Sequence, residues 1–228
     1  MTWRAVFAFV LVVMIAASIG MAVASVERSP GWVSHPGAAM ILREVWLTLV
    51  VYAGVIVVVV ANCGEEWDEE MRNAAVFGGT AGAVEALNIA LENAIPSFMN
   101  RPAVSIAAML VVFALWGLAG ARTARDLHHF RPGVTAAVMS AGVCMVFAVP
   151  VGFALELFIA PPRPDTISTW QEFQRSGWMD AAAFGIANTL YSGFTHLWMG
   201  PVIALVVGSL GAGIGARLAS APKATAAG

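Results

Sequence analysis

The chain has 228 residues, of which 59% are hydrophobic and 11% charged, with a mean hydropathy of +0.79 and a formal net charge of −2. Soluble domains carry roughly 25% charged residues, and a soluble core of this size could not bury so much apolar surface. The composition therefore excludes an ordinary soluble protein and predicts an all-α polytopic bundle in a lipid bilayer, where the backbone must satisfy its own hydrogen bonds. The sequence has no clustered basic face, so it does not indicate nucleic acid as a partner.

The first apolar stretch predicts a transmembrane span over residues 3–24. It follows a short basic segment and ends in Ala22-Val23-Ala24, a small-x-small pattern that signal peptidase accepts. Because the apolar stretch continues to Val26, it is long enough to cross a bilayer. We expect an uncleaved first helix, with a cleaved signal peptide as the alternative.

Four further spans follow in chain order, predicted over residues 41–61, 73–95, 103–121 and 134–160. The β-branched run inside the second span would be typical of a strand in a soluble protein, but in lipid it predicts a helix. Proline interrupts helices because it lacks a backbone N–H. Pro150 therefore predicts a kink in the fifth span, and Pro161-Pro162 predicts its end.

The last apolar stretch, residues 181–218, is too long for a single span at about 1.5 Å per residue. We expect Gly200-Pro201 to divide it, so that one amphipathic interfacial helix over 166–195 precedes a sixth span over 196–218. The alternative makes residues 181–198 a span of their own. Residues 1–219 then form a single transmembrane domain of about six spans, and residues 220–228 form a disordered tail.

Orientation follows from the distribution of lysine and arginine, which favour the inner side. An inside amino terminus puts seven of the twelve basic residues on the inner side, and the loop from Arg122 to Arg131 contributes most of this bias. The expected location is therefore the plasma or inner membrane, with the amino terminus inside.

Carboxylates within predicted spans are the strongest functional signal, since each costs roughly 2.5–3.5 kcal/mol on insertion scales. Glu85, Asn88 and Glu92 fall on one face of the third span, which should point into the bundle. Glu156 lies near the outer end of the fifth span. Asn188 and His196 supply polar groups near the last span. We interpret this set as an ion or substrate pathway, with interhelical packing as the alternative.

A sharper hypothesis is that Glu92, Glu156 and His196 converge near the outer face. Desolvated carboxylates need a proton, a cation or a donor, and an imidazole is a suitable partner. Two carboxylates and an imidazole are also candidates for a metal site, although their spacing matches no compact metal motif. The sequence identifies no cofactor.

Glycines spaced four residues apart, at Gly78-x3-Gly82 and Gly211-x3-Gly215, predict close helix packing. This packing could join helices of one chain, two copies of the chain, or other membrane subunits. The leading hypothesis is a carrier or channel for a small solute or ion. A non-catalytic accessory or assembly subunit is the second, and a membrane-embedded metal-dependent enzyme is the third.

Overall fold

The structure, a computed structural model, describes residues 2–28, 35, 37–62, 69–94, 101–159 and 167–220. The elements in chain order are α1 (Trp3–Arg28), α2 (Ala38–Asn62), α3 (Glu69–Ala94), α4 (Arg101–Leu127), α5 (Phe130–Ala154), a π-helical turn (Leu155–Ile159), α6 (Ile167–Ser176) and α7 (Ala181–Ser220). No strand occurs in these described ranges.

Six of these helices, α1 to α5 and α7, are long and apolar enough to cross a membrane. The predicted all-α class and the predicted number of about six spans are therefore confirmed. The first five helices overlap the five spans expected from hydropathy, and most extend a few residues beyond them. The disordered tail was predicted over residues 220–228, but Ser220 is the last residue of α7. Residues 221–228 lie outside the described residues.

The region before the last span differs from the prediction. Instead of one amphipathic helix over 166–195, the chain forms the short α6 and then starts α7 at Ala181. Gly177 separates the two helices with a φ of +77°, a conformation that glycine adopts without steric cost. The Asp180 carboxylate then accepts a hydrogen bond from the Ala182 N–H at 2.8 Å, as expected of a residue that starts a helix.

Helix α7 also runs without interruption through Gly200-Pro201, where the sequence predicted a division. Proline removes only one backbone donor, and neighbouring helices allow transmembrane segments to tolerate it. Gly200 and Pro201 are both buried against the bundle. At about 1.5 Å per residue, the 40 residues of α7 are about 60 Å long, roughly twice the hydrocarbon thickness. Part of α7 must lie outside the hydrocarbon core, or the helix must tilt strongly.

Helix α5 lies at the centre of the bundle, in contact with α1, α2, α3, α4 and α7. Small residues allow this close approach: a Cβ added to Gly78 of α3 would lie 2.5 Å from the carbonyl oxygen of Ser140 in α5. On α7, Gly211 and Gly215 pack directly against the α4 backbone. The glycines that are spaced four residues apart in the sequence therefore pack helices of the same chain together at these positions.

Successive spans run in opposite directions, which gives the bundle two distinct ends. The amino-terminal ends of α2, α4 and α7 share one end with the carboxyl-terminal ends of α1, α3 and α5. We call this the α6 end, because α6 precedes α7 there. Arg4 of α1 donates a hydrogen bond to the Val60 carbonyl of α2 at 3.0 Å, which ties these helices together at the opposite end.

Candidate functional site

A cavity of about 640 Å³ lies between α3, α4, α5 and α7, in the half of the bundle toward the α6 end. Its volume is within the range of about 300–1,000 Å³ that is typical of ligand pockets. Helices α3, α4 and α7 and the π-helical turn contribute polar groups to the lining: Glu85, Asn88, Ser105, Glu156, Thr189, Ser192, Thr195 and His196. Most of the remaining wall is aliphatic, aromatic or thioether.

Helix α3 presents Glu85 and Asn88 to the cavity, as its polar face predicted. One and two turns earlier, Gly82 and Gly78 bring α3 against the α5 backbone, so the polar face meets the centre of the bundle. Asn88 is only 8% exposed. Its Oδ1 atom is buried and has no hydrogen-bond partner among the described residues. A buried acceptor of this kind costs about 1–3 kcal/mol when unpaired, which makes it a natural contact for a bound donor.

Glu156 lies in the π-helical turn that ends the fifth span. Such turns are often associated with functional sites, because the extra residue per turn redirects a side chain. The Glu156 carboxylate accepts a hydrogen bond from the hydroxyl of Thr189 on α7 at 2.9 Å. This contact ties the wall formed by α5 to the wall formed by α7.

His196 lines the same cavity but lies seven residues after Thr189, about 10 Å farther along α7. Its Nδ1 is 2.7 Å from the backbone carbonyl oxygen of Ser192, one turn earlier. Since a carbonyl can only accept, Nδ1 is the donor in this contact. Thr189, rather than His196, is the residue of α7 that hydrogen-bonds Glu156.

Of the remaining predicted site residues, Asn188 is exposed and does not line the cavity. The side chain of Glu92 lies outside the described residues, so its convergence with Glu156 and His196 stays a prediction. Within the described part of the chain, no three His, Cys, Asp or Glu side chains come together in a way that could hold a metal ion.

A fourth carboxylate, Glu44, was missed by sequence reasoning. It lies on α2 and is 1% exposed. Its Oε2 atom accepts hydrogen bonds from the indole N–H of Trp198 at 2.6 Å and from the hydroxyl of Thr195 at 3.3 Å, both on α7. Its Oε1 atom accepts two bonds from Arg43, at 2.7 and 3.0 Å. This carboxylate is therefore buried with both oxygens satisfied, as a buried charge requires.

The Glu44 contacts extend to the cavity, because Thr195 is also a lining residue. One turn away, the Thr48 hydroxyl of α2 donates to the Phe194 carbonyl of α7 at 3.0 Å. The signal available in the sequence was Glu44 itself, a carboxylate inside the predicted second span. Its neighbour Arg43 resembles an ordinary interfacial charge, and the partners on α7 are about 150 residues away in sequence.

Comparison with known protein families, curated proteins and solved structures finds no match to this chain. Functional interpretation therefore depends on the chemistry of the cavity.

The Asp, Glu, His, Lys and Arg side chains among the described lining residues are two carboxyl groups and one imidazole, that of His196. Glu85 and Glu156 are the two carboxylates, and no lysine or arginine is present among the described residues that line the cavity. Toward the opposite end of the bundle the helices close together: a Cβ on Gly120 of α4 would lie 2.7 Å from the Gly208 carbonyl oxygen of α7. The described residues thus form a carboxylate-lined cavity in one half of the bundle, above closely packed helices in the other half.

Proposed function

We propose that the chain binds a small solute or ion in this cavity and carries it across the membrane. The observation that supports this proposal best is the placement of Glu85. It is a carboxylate inside a spanning helix, on the wall of a cavity large enough for a ligand. Ionisable groups at this depth are expensive and typically mark ion or substrate pathways.

The cavity and the packing below it are consistent with one state of an alternating-access cycle. A ligand would enter from the α6 end, and its release at the opposite end would require α4, α5 and α7 to separate where glycines now hold them together. The glycines at positions 78, 82, 208, 211 and 215 pack within the chain. A second copy or another membrane subunit would have to use other surfaces, so these glycines favour the transport hypothesis over an accessory-subunit role.

We also propose that the amino terminus lies on the inner side of a plasma or inner membrane. The α6 end would then face outward, and the cavity would open toward the outside. Single cysteines in place of Arg72 and His129 should react with an impermeant maleimide from the inner side, and a cysteine in place of Arg175 from the outer side. Labelling of Arg72 and His129 positions from opposite sides would contradict the helix assignment.

Transport can be tested in proteoliposomes with Na⁺, K⁺, H⁺ and methylammonium as probes. We expect at least one of them to cross faster than in protein-free liposomes. Glu85→Gln, which removes the charge at nearly constant volume, should abolish that flux. Glu172→Gln is the matched control, because this carboxylate is exposed on α6 and outside the cavity. Flux equal to that of empty liposomes for all four probes, or full flux through Glu85→Gln, would overturn the proposal.

A further inference from the structure

The chemistry of the cavity wall restricts the class of ligand. Glu85 and Glu156 bring two carboxyl groups to the cavity wall, and no lysine or arginine is among the described residues that line it. Carboxylates removed from water are stabilised by a cation nearby, because the attraction is stronger at low dielectric. The wall therefore favours a positively charged ligand over a neutral or anionic one.

Acceptor atoms further indicate that the cation carries N–H groups. The buried Oδ1 of Asn88 has no described partner, and Asn88 is one of the residues that line the cavity. An ammonium group has up to three donors and could satisfy a carboxylate and a neutral acceptor together. A quaternary ammonium or an alkali metal ion has no hydrogen to donate.

The rest of the lining indicates that the ligand has an apolar body. A cavity of about 640 Å³ is far larger than a bare ion, and its walls include three thioethers and three aromatic rings: Met109, Met145, Met199, Phe113, Trp116 and Phe153. Methionine adapts to ligands of irregular shape, and aromatic faces attract cations. Met109 and Met199 are 43% and 37% exposed on spanning helices, so both thioethers reach the accessible surface.

From these three observations we infer that the ligand of the cavity is a protonated organic amine with an apolar body. The ammonium group would lie near Glu85 and Asn88, and the apolar body would contact the methionines and aromatic rings. This inference rests on the proposed function, since it names the substrate class of the same site.

Binding of radiolabelled 2-phenylethylamine to the purified full-length protein, measured by equilibrium dialysis against protein-free micelles, tests the inference. We expect saturable binding to one site per chain. Three competitors separate the chemical requirements: 2-phenylethanol lacks the charge, 3-phenylpropionate reverses it, and methylammonium lacks the apolar body. Each should compete at least tenfold more weakly than unlabelled 2-phenylethylamine. Equal competition by 2-phenylethanol or 3-phenylpropionate would overturn the charge requirement, and equal competition by methylammonium would overturn the apolar one.

Variants then assign the binding to this cavity. Glu85→Gln and Asn88→Leu should each weaken 2-phenylethylamine binding at least tenfold, whereas Glu172→Gln should leave it unchanged. Unchanged binding in both cavity variants would place the amine elsewhere and overturn the inference. The competitor series uses the unaltered protein, so it decides the ligand class even if a variant does not fold.

The two proposals fail in different ways. If methylammonium or an inorganic cation crosses the proteoliposome membrane but 2-phenylethylamine does not bind, transport stands and the ligand class is wrong. If 2-phenylethylamine binds as described but no cation crosses, the cavity is an amine site and the transport function is wrong.

Discussion

The contact between α3 and α5 provides the sharpest test of the packing, because two adjacent glycines on α3 have opposite surroundings. A Cβ added to Gly78 would lie 2.5 Å from the carbonyl oxygen of Ser140 and 2.9 Å from the Cβ of Val143. A Cβ added to Gly79 would meet nothing within 4 Å. Gly78→Ala and Gly79→Ala therefore make the same chemical change in one helix, with and without a steric conflict.

The size of the effect follows from these distances. Ordinary contact begins at 3.4 Å, so α3 would have to move away from the Ser140 oxygen by 0.9 Å, the difference between 3.4 and 2.5 Å. The obstacle is backbone, which cannot rotate aside, and overpacking of this kind costs about 1–3 kcal/mol. Replacing a helical glycine by alanine contributes about 0.5–1 kcal/mol in the stabilising direction, and both variants share this gain. Gly79→Ala should thus be neutral or more stable, and Gly78→Ala should be less stable than Gly79→Ala by about 1–3 kcal/mol.

Unfolding in mixed micelles, followed by tryptophan fluorescence or by thermal aggregation, measures this difference. Displacement of α3 should also disturb Glu85, two turns farther along the same face, so amine binding should weaken in Gly78→Ala alone. The reasoning is refuted if the two variants unfold at the same point, or if Gly78→Ala is the more stable of the two.

Two further predictions concern buried hydrogen bonds between helices. Trp198→Phe removes the indole donor from Glu44 and should destabilise the fold by about 1.5–3 kcal/mol, the usual contribution of a bond to a charged group. Chemical unfolding should show this loss in the wild-type background but not in Glu44→Leu, and an equal loss in both would mean that only packing is involved. Thr123→Val should cost about 1–3 kcal/mol, because it leaves the buried Asn73 amide, now 2.9 Å from the Thr123 hydroxyl, without its acceptor. Thr80→Val is the control, since its exposed hydroxyl bonds only within its own helix, and a comparable loss there would contradict the argument.

Hydropathy was sufficient to predict the class of fold. In lipid the backbone of each apolar segment must form its own hydrogen bonds, so the segment's length and composition are enough to predict a helix. The same local reasoning identified Glu85 and Asn88, because residues three apart on one helix share a face whatever surrounds them. These two residues do line the cavity.

The ends of helices were harder to predict from the sequence where they depend on packing against neighbouring helices. Gly200-Pro201 is a common signal for a helix end, yet α7 continues through it as part of the buried face. Gly177 carries the positive φ that separates α6 from α7. The sequence contained both glycines, but whether a backbone continues past such a residue depends on the packing around it, which periodicity does not describe.

Tertiary structure alone decided which polar groups meet. Glu156 contacts Thr189 rather than His196. Which residues of two helices lie side by side depends on how far one helix is shifted along the axis of the other. Glu44 is surrounded by donors from α7, which begins more than a hundred residues later. A helix constrains the positions of its own residues through its repeat, but the offset between two helices is set by side-chain packing along their whole contact. The direction in which Glu85 points could therefore be predicted from one segment. The hydrogen-bond partners of Glu44 and Glu156 could be identified only in the assembled bundle.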